Sequence, residues 1–95
     1  MKFSQCVEMS ITRADFLRLL PAAVNHAPFS VAGERIAHHG AGRSWNIRLT
    51  ALPDLRIGLV RLERHRVLLS LDGYGEEEAA AFMRRFELYF RRGGG

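Results

Sequence analysis

Apolar and polar residues alternate with a period of two from Ser44 to Leu71, and this alternation is the strongest structural signal in the chain. Trp45, Ile47 and Leu49 interleave with Asn46, Arg48 and Thr50, as in a strand with one buried face. Leu52-Pro53-Asp54-Leu55 reads as a turn, because proline presets φ for the second turn position and aspartate can bond its own backbone. Folding back there sets Ala51 opposite Arg56, Leu49 opposite Gly58, Ile47 opposite Val60 and Trp45 opposite Leu62. A second turn at Arg64-His65 sets Leu62 opposite Val67, Val60 opposite Leu69 and Gly58 opposite Leu71. Both hairpins keep one parity, so Trp45, Ile47, Leu49, Val60, Leu62, Val67, Leu69 and Leu71 are expected to share an apolar face. The other face then carries Arg48, Arg61 and Arg66 around a central patch of Ile57, Leu59 and Leu68. A slip of one residue would send a whole set to the wrong side.

The flanking segments are read the same way. Lys2 to Met9 alternates, with Phe3, Gln5, Val7 and Met9 on one side and Ser4, Cys6 and Glu8 on the other. Thr12 is an N-cap and Asp15 a favourable first-turn acid for a helix that buries Phe16, Leu17, Leu20 and Val24. Pro21 is expected to kink or end that helix after Leu20, with one further turn over Ala22 to Asn25. Glu34 to His38 is the strand expected within Phe29 to His39, with Ile36 opposite Ile47, and Gly40-Ala41-Gly42 turns it into Ser44. A final helix spans about Gly75 to Arg92. Glu76, Glu77 and Glu78 crowd its start, and Ala79, Phe82, Met83, Phe86, Tyr89 and Phe90 form its buried stripe.

These elements predict an α+β fold in the order β-α-β-β-β-β-α. Residues 1–92 form a single domain, and residues 93–95 are a flexible glycine tail. Both helices should cover the Trp45/Val60/Leu69 face of a curved antiparallel sheet and leave the arginine-bearing face open. In element order this resembles the TATA-binding-protein-like fold. That resemblance implies that the first strand lies beside the last, with Cys6 near Leu68 and Ser70 on the open face. Fold analogy carries no function.

Composition narrows the classes of function. The chain has 95 residues, 47% hydrophobic and 25% charged, which is ordinary for a globular protein. No apolar run approaches the roughly 18 residues that span a bilayer, so a cytoplasmic protein with no membrane partner is expected. Cys6 is the only cysteine, so no disulfide framework exists. The four histidines lack the paired spacing of a structural zinc site, and adjacent His38 and His39 on a strand point to opposite faces; no metal or other cofactor is expected. No nucleophile, base and orienting group fall into a recognisable arrangement, so no catalytic residues are assigned.

A net charge of +4 and a pI near 10.2 favour anionic partners. Thirteen of the fourteen basic residues are arginine, a bias that accompanies the abundant Ala, Gly and Leu of GC-rich coding. The reading is a non-catalytic binding or adaptor domain. Its open face, through Arg48, Ile57, Leu59, Arg61, Arg66 and Leu68, meets an acidic protein or a nucleic acid. A homodimer through the same face, or a site for a small anion, is the alternative.

Overall fold

In the computed structural model, which describes residues 2–93 and the side chains of residues 2–90, the chain forms seven elements. They are β1 (Lys2–Met9), α1 (Arg13–Ala23), β2 (Ser30–Ala32), β3 (Arg35–His39), β4 (Ser44–Ile57), β5 (Val60–Asp72) and α2 (Glu76–Gly93). The strands make one antiparallel sheet in the order β1-β5-β4-β3-β2. The fold is α+β, with the first strand beside the last and Cys6 directly opposite Leu68.

The hairpin point differs from the expected one. β4 runs straight through Pro53 and Asp54 to Ile57, and the chain reverses at Gly58-Leu59. Trp45 therefore faces Leu71, Ile47 faces Leu69 and Leu49 faces Val67. Two physical facts favour this register. In the expected one, Gly58 would lie under the helices with no side chain to pack. Placed in the turn, it supplies a φ of +59°, the positive first position of a type II′ turn. Pro53 and Asp54 together oppose Glu63, since Leu52 pairs with Arg64 and Leu55 with Leu62. That is a β-bulge, where a residue without an N–H interrupts the ladder at least cost.

There is no second turn at Arg64-His65. His65 is a buried strand residue whose Nδ1–H donates to the Ile11 carbonyl at 2.8 Å, tying the β1–α1 connection to the sheet. Val60 and Leu62 consequently leave the expected core face, and Val60 is exposed. The segment before Gly40 holds two strands, β2 and β3, in place of one. The order β-α-β-β-β-β-α thus survives because one strand is gained there while the expected three strands of 44–71 become two. The pairing of Ile36 with Ile47 is as expected.

One hydrophobic cluster unites the layers. Ile36, Trp45, Ile47, Leu49, Val67, Leu69 and Leu71 rise from the sheet to meet Phe16, Leu20 and Ala23 of α1 and Ala79, Met83, Phe86 and Phe90 of α2. Burial of each large side chain contributes about 1.5–3 kcal/mol. Phe90 stacks on Phe16 and packs on Phe86, each with a centroid separation of 4.6 Å, so the aromatic stripe of α2 locks directly onto α1.

The helix ends are capped from the sequence. Thr12 accepts from the Asp15 N–H at 3.1 Å, and Glu78 reaches back to the Gly75 N–H at 3.0 Å. Pro21 does not end α1, which continues to Ala23; in the last turn it forfeits only one backbone bond. Asn25 and His26 then take left-handed conformations instead of a further helical turn. Arg85 donates to the Ala22 carbonyl at 2.8 Å, satisfying an end of α1 from α2. α2 includes Gly93, the first residue of the expected tail, and residues 94 and 95 lie outside the described residues.

Gly73 holds a φ of +82°, and a Cβ there would collide with the Gly42 carbonyl oxygen. A Cβ on Gly58 would meet nothing within 4 Å. Gly58→Ala is therefore expected to cost only the backbone strain of an L-residue at positive φ, about 1–3 kcal/mol. Gly73→Ala should cost more, because backbone must also shift. Urea denaturation of the two variants checks the ranking, and an equal or smaller loss at Gly73 contradicts it.

Candidate partner-binding surfaces

Register converts the open side of the sheet into rows. One row reads Ser4, Ser70, Asn46, Ala37 and Ser30 from β1 to β2, small side chains that are polar but for Ala37. The next reads Cys6, Leu68, Arg48, Arg35 and Ala32, and the one beyond it Glu8, Arg66 and Thr50. Three of the expected site residues, Arg48, Arg66 and Leu68, do share this face. Arg48 is engaged by Glu34 at 3.5 Å, while Glu8 takes Arg64 at 2.8 Å and Arg66 at 3.6 Å. These pairs are solvent-exposed, so each contributes at most about 1 kcal/mol.

The other three expected site residues lie elsewhere. Leu68 is eight positions along β5 from Val60, about 26 Å at strand rise. Ile57 and Leu59 sit at that far end and form no central patch with Leu68. Arg61 is on the reverse side altogether, because Arg61 and Arg66 are five residues apart on one uninterrupted strand.

Unequal strand lengths create the feature that carries these residues. β3 stops pairing with β4 at Arg35/Arg48, and β1 stops pairing with β5 at Met9/His65. Beyond those points β4 and β5 continue as a two-stranded ribbon, and the molecule measures 47 × 25 × 21 Å. On one side of the ribbon Leu55 faces Leu62 and Ile57 faces Val60, with Leu59 at the tip. Leu55, Ile57 and Val60 are 40%, 60% and 56% exposed, and Leu59 is fully exposed. On the reverse side Arg56 stands directly opposite Arg61, a like-charge pair relieved by Asp54 at 2.5 Å from the Arg61 Nε. Leu55, Val60 and Leu62 join Ile57 and Leu59 in this strip and were not among the expected site residues. Their alternation is visible in the sequence, but the turn at Gly58 is needed to bring them to one side.

A second polar cluster lies at the other end of the sheet. Gly40 N–H donates to the Arg43 carbonyl at 2.8 Å, closing the β3–β4 turn, and the Arg43 guanidinium forms an ion pair with Glu78. That guanidinium also lies 5.6 Å from the Tyr74 ring centroid. Burial raises the Tyr74 hydroxyl pKa above its ordinary 10.0; Arg43 opposes the rise and Glu78 adds to it. A cavity of about 310 Å³ opens beside Tyr74, Trp45 and His38. The His38 ring is held by its Nδ1–H on the Pro28 carbonyl at 2.6 Å. Among the described residues, no three of His, Cys, Asp or Glu come together as a metal site. No helix among them is long and apolar enough to cross a membrane.

Comparison with protein families, with curated proteins and with solved structures finds no match to this chain.

Two outcomes are expected from this geometry. Ile57→Ser and Leu59→Ser should each change stability by no more than about 0.5 kcal/mol, as exposed substitutions do. Leu49→Ala should cost about 2–5 kcal/mol by leaving a cavity under the helices. Chemical denaturation separates the two classes, and a large loss at Leu59 would mean that the ribbon is packed against the body. For Tyr74 the folded pKa lies above the unfolded value, so the unfolded state releases its proton first. Its contribution to stability is intact below about pH 10 and is lost as pH rises through the folded value. Urea midpoints measured across this range should fall with pH, and less steeply in Tyr74→Phe.

Proposed function

We propose that this chain is a small, basic, non-catalytic binding or adaptor domain that grips a protein partner with the end of the β4–β5 ribbon. The observation that supports this is the strip of Leu55, Ile57, Leu59 and Val60, left in water on a ribbon that neither helix nor a third strand covers. A contiguous apolar patch rimmed by charge marks an interaction surface, and its burial returns about 25 cal/mol per Å². Arg56 and Arg61 on the reverse side favour carboxylates along the partner's rim, so an apolar groove on an acidic protein is the class of partner.

A nucleic-acid partner on the open face is the second reading. The row of Ser4, Ser70, Asn46, Ala37 and Ser30, polar but for Ala37, beside Arg35, Arg48 and Arg66 favours it, as a track of short side chains that a phosphate backbone can approach. Among the described residues the face carries no Phe, Tyr or Trp on which bases would stack, and His39 supplies its ring. The strand order with two helices supports assigning the TATA-binding-protein-like topology, which carries no function with it.

The test is affinity capture from the native cell extract with the wild-type chain and with Ile57→Asp/Leu59→Asp, both checked for folding by circular dichroism. One acidic protein should be retained stoichiometrically by the wild type. The variant should bind it at least about tenfold more weakly, a loss of about 1.4 kcal/mol or more. Equal retention by both proteins would sink the ribbon reading. A parallel titration with single-stranded and duplex oligonucleotides at low salt addresses the open face. Binding that falls steeply with salt and is lost in Arg48→Ala/Arg66→Ala would replace the protein partner with a nucleic acid.

A further inference from the structure

The outer edge of β1 is a second unpartnered surface, independent of the ribbon. β1 is eight residues long and pairs with β5 without a bulge, so its other side presents an unbroken row of backbone donors and acceptors. It has no proline, no bulge and no inward-pointing charge, and its two charged residues, Lys2 and Glu8, lie near its ends on the open face. The opposite edge, β2, is only three residues long. Next to β1 a groove of about 360 Å³ runs under α2, floored by Val67 and Leu69 and walled by Met83, Phe86 and Phe90. Val7 is 37% exposed at its lip.

We infer that the occupant of this edge is a second copy of the chain, paired antiparallel about a two-fold axis at Gln5. β1 is self-complementary in that register. Phe3 meets Val7 of the partner subunit, Ser4 meets the partner's Cys6, and Lys2 meets the partner's Glu8. Each pair keeps its face, so helices stay on one side of a continuous ten-stranded sheet.

The rows already present in each copy extend across the join. Since Phe3 faces Leu71 and Val7 faces Val67, an all-apolar row runs Leu71, Phe3, then the partner's Val7 and the partner's Val67. Since Glu8 faces Arg66 and Lys2 faces Asp72, a second row alternates in sign: Arg66, Glu8, then the partner's Lys2 and the partner's Asp72. The two-fold axis repeats both rows. Centring the axis on Cys6 instead sets Gln5 against Val7 and Ser4 against Glu8, which loses the ion pairs and mixes polar with apolar. Main-chain bonds provide the affinity of such an augmented sheet, and the side-chain rows set the register.

Sedimentation equilibrium together with thiol crosslinking tests the pairing. The wild type should sediment at twice the chain mass, and Val7→Lys, which aims a charge into the joined apolar row, at the chain mass with an unchanged circular dichroism spectrum. In the Gln5-centred register the two Cys6 residues are diagonal neighbours about 7–8 Å apart. That exceeds the span of an unstrained disulfide. Ser4→Cys places a new thiol directly opposite the partner's Cys6, so mild oxidation should give a covalent dimer quickly from this variant and slowly from the wild type. A wild type that is monomeric at every concentration overturns the proposal, as does a folded Val7→Lys that remains dimeric. Wild-type crosslinking as fast as that of Ser4→Cys overturns the register. If Val7→Lys does not fold, the crosslinking comparison decides alone.

Discussion

The structure depends on β5 being hydrogen-bonded along both sides. Among the described residues it is the one strand that joins β1 to the rest of the sheet, and its inward residues Val67, Leu69 and Leu71 sit between those of β1 and β4 beneath the two helices. Each inward residue of β5 is therefore packed from both neighbouring strands and from above. Displacing this strand by one residue would turn three buried aliphatic side chains to solvent and bring Arg66, Leu68 and Ser70, or Leu68, Ser70 and Asp72, beneath the helices. Phe16 of α1 and Phe90 of α2, stacked on each other, close the same core from above.

The ribbon is a consequence of that arrangement. β4 and β5 have 14 and 13 residues, while β1 and β3 have eight and five, so the central pair must overhang at one end. A free two-stranded hairpin is marginal in water; this one is held in line by continuing strands that are anchored in the core. An overhang with a polar exterior would need no further explanation. One with five apolar side chains on a single side does.

Charge has a secondary part in stability. Arg18, Arg43, Arg48, Arg61, Arg64 and Arg66 each meet a carboxylate at the surface, where such pairs are worth little. Their effect is to set which surfaces repel and which attract. The proposed ribbon and edge surfaces would also work by different physics. Recognition at the ribbon tip would come from side chains and would respond to single substitutions, whereas pairing at β1 would come from the backbone and would respond to charge or geometry at the edge. A two-fold pairing at β1 would point the two ribbons in opposite directions, because each leaves its sheet at the Met9 end of an antiparallel strand.

Face assignments were legible from residues alone wherever alternation was long and unambiguous. The inward and outward sets of β1, the burial of Trp45, Ile47 and Leu49, the burial of Val67, Leu69 and Leu71, the pairing of Ile36 with Ile47, and the aromatic stripe of α2 all follow from local periodicity. The hairpin point did not. Residues 57–62 and 67–71 both offer apolar side chains at every second position, and Pro53-Asp54 suits a turn and a bulge equally well. Periodicity says which side a residue takes but is silent on which strand lies opposite, because pairing is settled by contacts remote in sequence. Only the packed sheet, with β1 and both helices competing for the same strand, places Gly58 in the turn and His65 in the core. It thereby separates Arg48, Arg66 and Leu68 on the open face from Ile57 and Leu59 at the ribbon tip and Arg61 behind it.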